Sequence, residues 1–297
     1  MNIDKIQLQE IQEVHEFQEN TDYNTLQIPE TIEYMHKLYI QPAQNYINIT
    51  DATLCDCAAG FGWLAFAFLM SGGKRAIIVE PLESKLNAAQ KIATILGIVD
   101  RCEFRTDYIQ DLDLPDNSID IFASIETLEH VGKDNIKSSI NNIIRITAKL
   151  LIITTPNQLS PLVSHDGKVP FSHWLPKDLR KHYVRLFGKK IVHFNDFVSF
   201  FDMLPILQKF QPQSKTLTFP SYEAWLSHYP FYSPYSKGTW KHSPSMPMKL
   251  FFLVTSKLFG RYAFVVCPNL ACIWVAKQHN LPITKVDPQV KTETGRV

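Results

Sequence analysis

The sequence predicts an α/β protein with a mostly parallel sheet covered by helices on both faces, and three observations carry that expectation. Short apolar runs alternate with helical stretches between residues 53 and 154. Three of those runs end in residues suited to a ligand edge: the bend at 56–62, Glu80 and Asp107. A last apolar run at 270–276 follows a long, less regular region. Parallel strands need a long crossover, so strands that alternate with helices point to a parallel sheet.

The elements follow in order. Ile3, Ile6, Ile11, Val14 and Phe17 recur at near-helical spacing, which predicts one amphipathic helix over 3–17. A second helix is expected from about 29 to 40, ahead of Pro42. Thr53–Cys57 reads as a buried strand, followed by an apolar helix through Met70 that Gly72 and Gly73 close. Residues 75–80, 102–105, 119–124 and 150–154 read as the next strands, with helices at 82–96 and 133–148. Beyond Pro156 a helix is expected at 176–187 and a sixth strand at 191–194. Residues 205–247 are rich in proline, serine and aromatics (Tyr222, Trp225 and Trp240 among them), too much aromatic mass for a linker. There is no internal repeat.

Composition narrows the function. The 297 residues suffice for one large α/β domain with insertions or for two small ones. A formal charge of +1 provides no broad field for nucleic acid. The five cysteines show no paired CxxC pattern; Cys55 and Cys57 read as buried free thiols, which suits a cytoplasmic protein. The first residues lack the pattern of a signal peptide. No apolar run reaches the ~18–20 residues that spanning needs. The nearest, around 248–259, is broken by Lys257. Peripheral membrane contact stays open, and the sequence does not set an oligomeric state.

The candidate ligand site lies where strand ends meet helices, the edge at which open α/β sheets bind ligands. Gly60 and Gly62 allow a sharp bend and close backbone approach, and Asp56 stands at the strand end before them. The next helix aims free N–H groups at the ligand. Glu80 suits both hydroxyls of a ribose, with Pro81 beside it, and Asp107-Tyr108 suits an adenine edge or face. A dinucleotide is the rival ligand, since residues 60–65 fit G-x-G-x-x-A. Against it, Asp56 would repel a pyrophosphate and Trp63 crowds the helix start.

As a set, Asp56-x-Ala58-x-Gly60-x-Gly62, Glu80 and Asp107 resemble the first three cofactor motifs of class I S-adenosylmethionine-dependent methyltransferases. Leu128-Glu129-His130-Val131 is similar to the L-E-H-V signature of the subgroup that includes ubiquinone-biosynthesis O-methyltransferases, and Thr155-Pro156-Asn157 fits that subgroup too. Ala58 departs from the usual glycine. The resemblance covers about residues 50–195. It implies a Rossmann-like sheet of seven strands with the last antiparallel, and S-adenosylmethionine as cofactor. In that reading Asp56 attracts the ammonium or sulfonium charge, and Ala58, Gly60, Gly62, Glu80, Pro81, Asp107, Tyr108 and Glu126 complete the cofactor site.

The expected reaction is methyl transfer, most readily to oxygen, onto a small-molecule, sugar or lipid-linked acceptor. Its alternatives are an NAD-dependent oxidoreductase and a non-catalytic binding protein of the same fold. Candidates at the reacting end are His130, Glu129, His165 and His173. An unperturbed histidine pKa lies near neutrality, so His130 suits a general base, although the Glu129-His130 pair also reads as structural. A metal site from His165, Asp166 and His173 matches no regular ligand spacing and is not expected. The expected organisation is a helical extension or lid at 1–45, the cofactor core at 46–200, and an aromatic insertion at 201–268. A closing strand at 269–278 and a polar tail at 279–297 follow. The stretch Met246–Phe259 reads as a helix packed on the sheet, with a surface-seeking helix for a lipid-linked substrate as the alternative.

Overall fold

A computed structural model describes residues 3–21, 23–161, 163, 169–191, 194–213, 246–259, 265–266 and 269–279. The strands are β1 (Thr53–Cys57), β2 (Arg75–Val79), β3 (Cys102–Arg105), β4 (Ile119–Ile125), β5 (Thr147–Pro156), β6 (Phe210–Gln213) and β7 (Asn269–Ala276). They form one sheet in the order β3-β2-β1-β4-β5-β7-β6. The first five run parallel, and β7 is antiparallel to both β5 and β6. This is the Rossmann-like architecture expected, including the antiparallel strand formed by the last apolar run. Strand order reverses between β1 and β4, which puts the ligand edge of the sheet at the end of β1.

Alternation along the strands sends side chains into two cores. Leu54, Ile78, Ala123 and Ile152 face one. Cys55, Cys57, Val79, Phe122 and Ile153 face the other. On the first face lie α1 (Lys5–Gln12), α2 (Ile28–Met35), α3 (Trp63–Met70) and α4 (Glu83–Ile95). On the second lies α5 (Ile136–Ile146), with the turn Ile206–Lys209. Two further helices among the described residues are α6 (Lys177–Leu186) and α7 (Met246–Phe259).

Helix α3 explains the N-terminal region. Its residues from Trp63 to Leu69 are all buried, so it has no polar face to give to water. A helix of that kind needs cover on every side. The sheet supplies one side, and Ile11, Phe17, Ile32 and Ile40 share the core on the other. Residues 5–43 therefore form part of the main core.

Several sequence expectations shift. The single helix over 3–17 is two pieces, α1 and a turn at His15–Gln18. Val14 is extended between them, and Ile6 points to solvent while Ile11, Val14 and Phe17 are buried. The second helix does not stop before Pro42. It widens into a π turn at His36–Ile40 and continues through Gln41–Ala43. Proline lacks an N–H and crowds the carbonyl four residues back, and a wider turn relieves that crowding. Strand β5 starts at Thr147, directly after α5, so it is longer than expected.

The sixth strand is not at 191–194. Ile191 and Phe194 lie outside any strand, and residues 192 and 193 fall outside the described residues. Phe210–Gln213 takes that place, which moves these residues from the expected insertion into the sheet. Pro212 hides the strand from a periodicity reading, yet an edge strand tolerates proline because its N–H is not needed. Fully buried Phe210 anchors it. Lys209 locks the approach, donating from Nζ to the carbonyls of Ile144 at 2.8 Å and Thr147 at 2.5 Å. The greater part of the aromatic stretch, 214–245, lies outside the described residues.

Candidate active site

The bend after β1 is built from left-handed backbone. Ala58, Gly60 and Gly62 have φ of +57°, +57° and +83°. Only glycine adopts such values without strain, which is the physical reason alanine is unusual at 58. A Cβ on Gly62 would sit 2.7 Å from the Phe66 ring, so this glycine lets α3 close against the bend. A Cβ on Gly60 would meet no atom within 4 Å; the space beside it is open.

Glu80, just beyond β2, ties this bend to its neighbour. Its Oε2 accepts from Gly60 N–H at 2.8 Å and its Oε1 from Leu82 N–H at 3.1 Å. The side chain is almost fully buried. Each carboxylate oxygen carries a further lone pair, so Glu80 can still accept from two hydroxyls. Aromatic packing holds the bend from behind. Phe17 meets Phe61 edge-on at 5.1 Å and Trp63 at 5.9 Å, and Tyr23 meets Phe61 at 6.2 Å.

Asp56 is buried on the α3 side of β1, and its Oδ2 accepts from Ala65 N–H at 3.1 Å, in the first turn of α3. Burial pushes its carboxyl up to about 7, the Ala65 bond opposes this, and the charge of Glu80 adds to the rise. Asp107 pairs with Arg105, whose Nε donates to Oδ2 at 2.8 Å. Tyr108 is exposed beside it.

The end of β4 carries a second acidic group. Glu126 has a left-handed φ of +52°, and its N–H donates to the Thr154 carbonyl at 2.8 Å. Asn269 Nδ2 donates to Glu126 Oε1 at 3.3 Å. Glu129 is buried in the turn Leu128–His130, and Thr155 Oγ1 donates to its Oε2 at 3.0 Å. Burial raises both carboxyls well above the usual carboxylate range, and the charge of Glu126 raises Glu129 further. His130 is exposed, with Nε2 3.8 Å from Glu129 Oε1.

The structure thus joins Glu80 to Gly60, and Glu129 to His130. His173 makes contacts of its own. That ring is buried, with Nε2 3.1 Å from the Gln158 carbonyl and its edge against Trp174 and Phe197. It lines a cavity of about 650 Å³ together with Trp174, Arg180, Phe197 and the start of α5. His165 and Asp166 lie outside the described residues. Sequence reading gave no role to Arg105, Thr154, Thr155 or Asn269. Arg105 was visible two residues before Asp107, but Asn269 is 143 residues from Glu126 and no spacing links them.

Residues 54–149 match the family model described as a methyltransferase domain. No curated protein matches the chain. Among solved structures, similarity extends to the MccD protein at 13% identity, covering 83% of this chain and 96% of that one, with a TM-score of 0.46. A geranyl diphosphate C-methyltransferase from Streptomyces coelicolor A3(2) is 14% identical, with coverages of 87% and 84% and a TM-score of 0.44. The PH0226 protein from Pyrococcus horikoshii OT3 is 16% identical, with coverages of 61% and 81% and a TM-score of 0.43. By its family match the chain carries a methyltransferase domain over residues 54–149.

Proposed function

We propose that the protein transfers a methyl group to an oxygen of a small-molecule, sugar or lipid-linked acceptor, with the cofactor seated between the bend after β1 and the ends of β2 and β3. The residues fit that group: the space beside Gly60 is open, and Glu80 faces the bend with spare acceptor capacity. In this reading Glu80 holds the ribose hydroxyls, with Pro81 beside it. Asp107, oriented by Arg105, and Tyr108 meet the adenine. Ala58, Gly60 and Gly62 bring backbone N–H groups to the amino-acid end, and Glu126 closes the floor. Asp56 serves as a positioning residue, since its Oδ2 is committed to α3. When bound, the cofactor supplies an electrophilic methyl on a sulfonium, a good leaving group.

The observation that carries oxygen as the acceptor atom is the pair at the end of β4. His130 stands exposed, with its Nε2 3.8 Å from the buried Glu129. A hydroxyl must lose its proton as it attacks carbon, and an imidazole beside a carboxyl group suits that task. The imidazole of His130 would take the proton of the acceptor hydroxyl, and the cofactor would supply the electrophilic methyl and keep the leaving electron pair on its sulfur.

Methyl transfer from radiolabelled S-adenosylmethionine tests this, with hydroxyl, amine and activated-carbon acceptors as parallel substrate sets. The expected result is label on hydroxyl acceptors, with kcat lowered by about 10²–10⁴ in His130→Ala. Label confined to amine or carbon acceptors contradicts the oxygen assignment.

A further inference from the structure

Helix α7 carries its polarity the wrong way round for a helix packed on a core. Leu250 and Leu258 are 61% and 72% exposed, and Met246, Leu253 and Val254 are exposed with them. At ~100° per residue these five fall within an arc of roughly 140°, with the exposed Lys257 inside it. Opposite that arc Thr255 is buried, its hydroxyl donating to the Phe251 carbonyl at 2.9 Å. A helix on a soluble core buries its apolar stripe and exposes its polar one. The expectation that this segment packs its apolar side on the sheet is therefore corrected.

Charge says what kind of surface covers the arc. Lys249 and Lys257 are the only charged residues of the helix. Around it, from 224 to 286, the chain has six lysines, one arginine and no aspartate or glutamate. The whole chain carries +1, so the remainder carries −6. This is a strong separation of charge along the sequence, with α7 inside the basic stretch. A sheet of lipid phosphates supplies a continuous anionic field that meets the lysines while the acyl boundary meets the apolar arc. The 14 residues span ~21 Å, short of the ~30 Å hydrocarbon core, and among the described residues no helix is long and apolar enough to cross a membrane. Such a helix lies in the interface plane.

We propose that α7 seats this protein on an anionic phospholipid bilayer, with its leucine arc at the acyl boundary and Lys249 and Lys257 at the phosphates. Lysine suits that place because its stem stays apolar while its head reaches the charged layer. The inference rests on α7 and the surrounding charge, and holds whichever acceptor the enzyme methylates.

Sedimentation of the full chain with phosphatidylcholine vesicles, with and without phosphatidylglycerol, tests it. The chain is expected to pellet with the phosphatidylglycerol vesicles, and less so as salt rises. The Leu250→Glu, Leu258→Glu double variant should lose at least about tenfold in vesicle partition while keeping its thermal transition and its affinity for S-adenosylmethionine. Leu258→Ser alone serves if the double variant does not fold, and should lower partition in the same direction. Absence of vesicle binding by the native chain overturns the proposal. So does equal binding by the variants. A dimer in light scattering that the variants abolish, without vesicle binding, assigns the arc to a second copy and overturns it as well.

Discussion

Glu80 Oε2 accepts a hydrogen bond from the backbone N–H of Gly60 at 2.8 Å, and this contact joins the tip of β2 to the bend after β1. The same carboxylate accepts from Leu82 N–H, so it orders both the bend and the start of α4. Replacing Glu80 with alanine removes the ribose partner and frees the bend. Affinity for S-adenosylmethionine is expected to fall by about 1–3 kcal/mol, measured by calorimetry. Unchanged affinity shows that the ribose lies elsewhere.

The glycine positions separate strain from space. Ala58 sits at φ +57°, a conformation that costs a non-glycine residue about 1–2 kcal/mol. Ala58→Gly relieves that cost and adds about 0.4–1 kcal/mol of unfolded-state entropy, so a net gain of roughly 0.5–1 kcal/mol in stability is expected. Gly62→Ala goes the other way, because its Cβ meets the Phe66 ring at 2.7 Å. Gly60→Val, with open space around its Cβ but a left-handed φ of +57°, should cost stability and abolish cofactor binding while the fold persists. Denaturant melts and cofactor titrations on the three variants distinguish these effects.

Much of this edge was legible in the sequence for a simple reason. Glycine bends and strand-end carboxylates are local features, fixed by a few neighbouring residues. What was hidden depended on distant chain segments or on a reversed pattern. Asn269 reaches Glu126 only because β7 inserts beside β5. Strand β6 carries a proline that only an edge position permits. Periodicity finds the apolar arc of α7 but does not say which way the arc faces. The bond from Ala65 N–H to Asp56 Oδ2, nine residues apart, is another contact the sequence reading did not anticipate.

Asp56 also gives a pH dependence. Its folded pKa of about 7 lies above the ordinary value of 3.8, so the folded state binds the proton more tightly than the unfolded chain. For an acid raised in this way, stability is highest below the unfolded pKa and is lost as pH rises from about 4 to about 7. The loss amounts to at most about 4 kcal/mol. Asp56→Asn removes that term. Urea melts of the native chain and the variant should converge near pH 4 and diverge toward pH 7.5, with the variant the more stable. Parallel curves across that range contradict the buried, protonated assignment.

Phe17 tests the claim that the N-terminal helices belong to the core. It is almost fully buried and meets both Phe61 and Trp63 edge-on. Phe17→Ala is expected to cost about 3–5 kcal/mol and to weaken cofactor binding through Phe61 in the bend. A variant of native stability would show that residues 5–43 only lie against the enzyme.

The account rests on an adenosyl group held at the β1–β2 edge. A crystal structure with S-adenosylhomocysteine tests this most directly. The ribose hydroxyls are expected within hydrogen-bond distance of Glu80, with the amino-acid end over Gly60 and the sulfur on the side of His130. A ligand bound away from Glu80, or an edge that stays empty at saturating S-adenosylhomocysteine, contradicts the account.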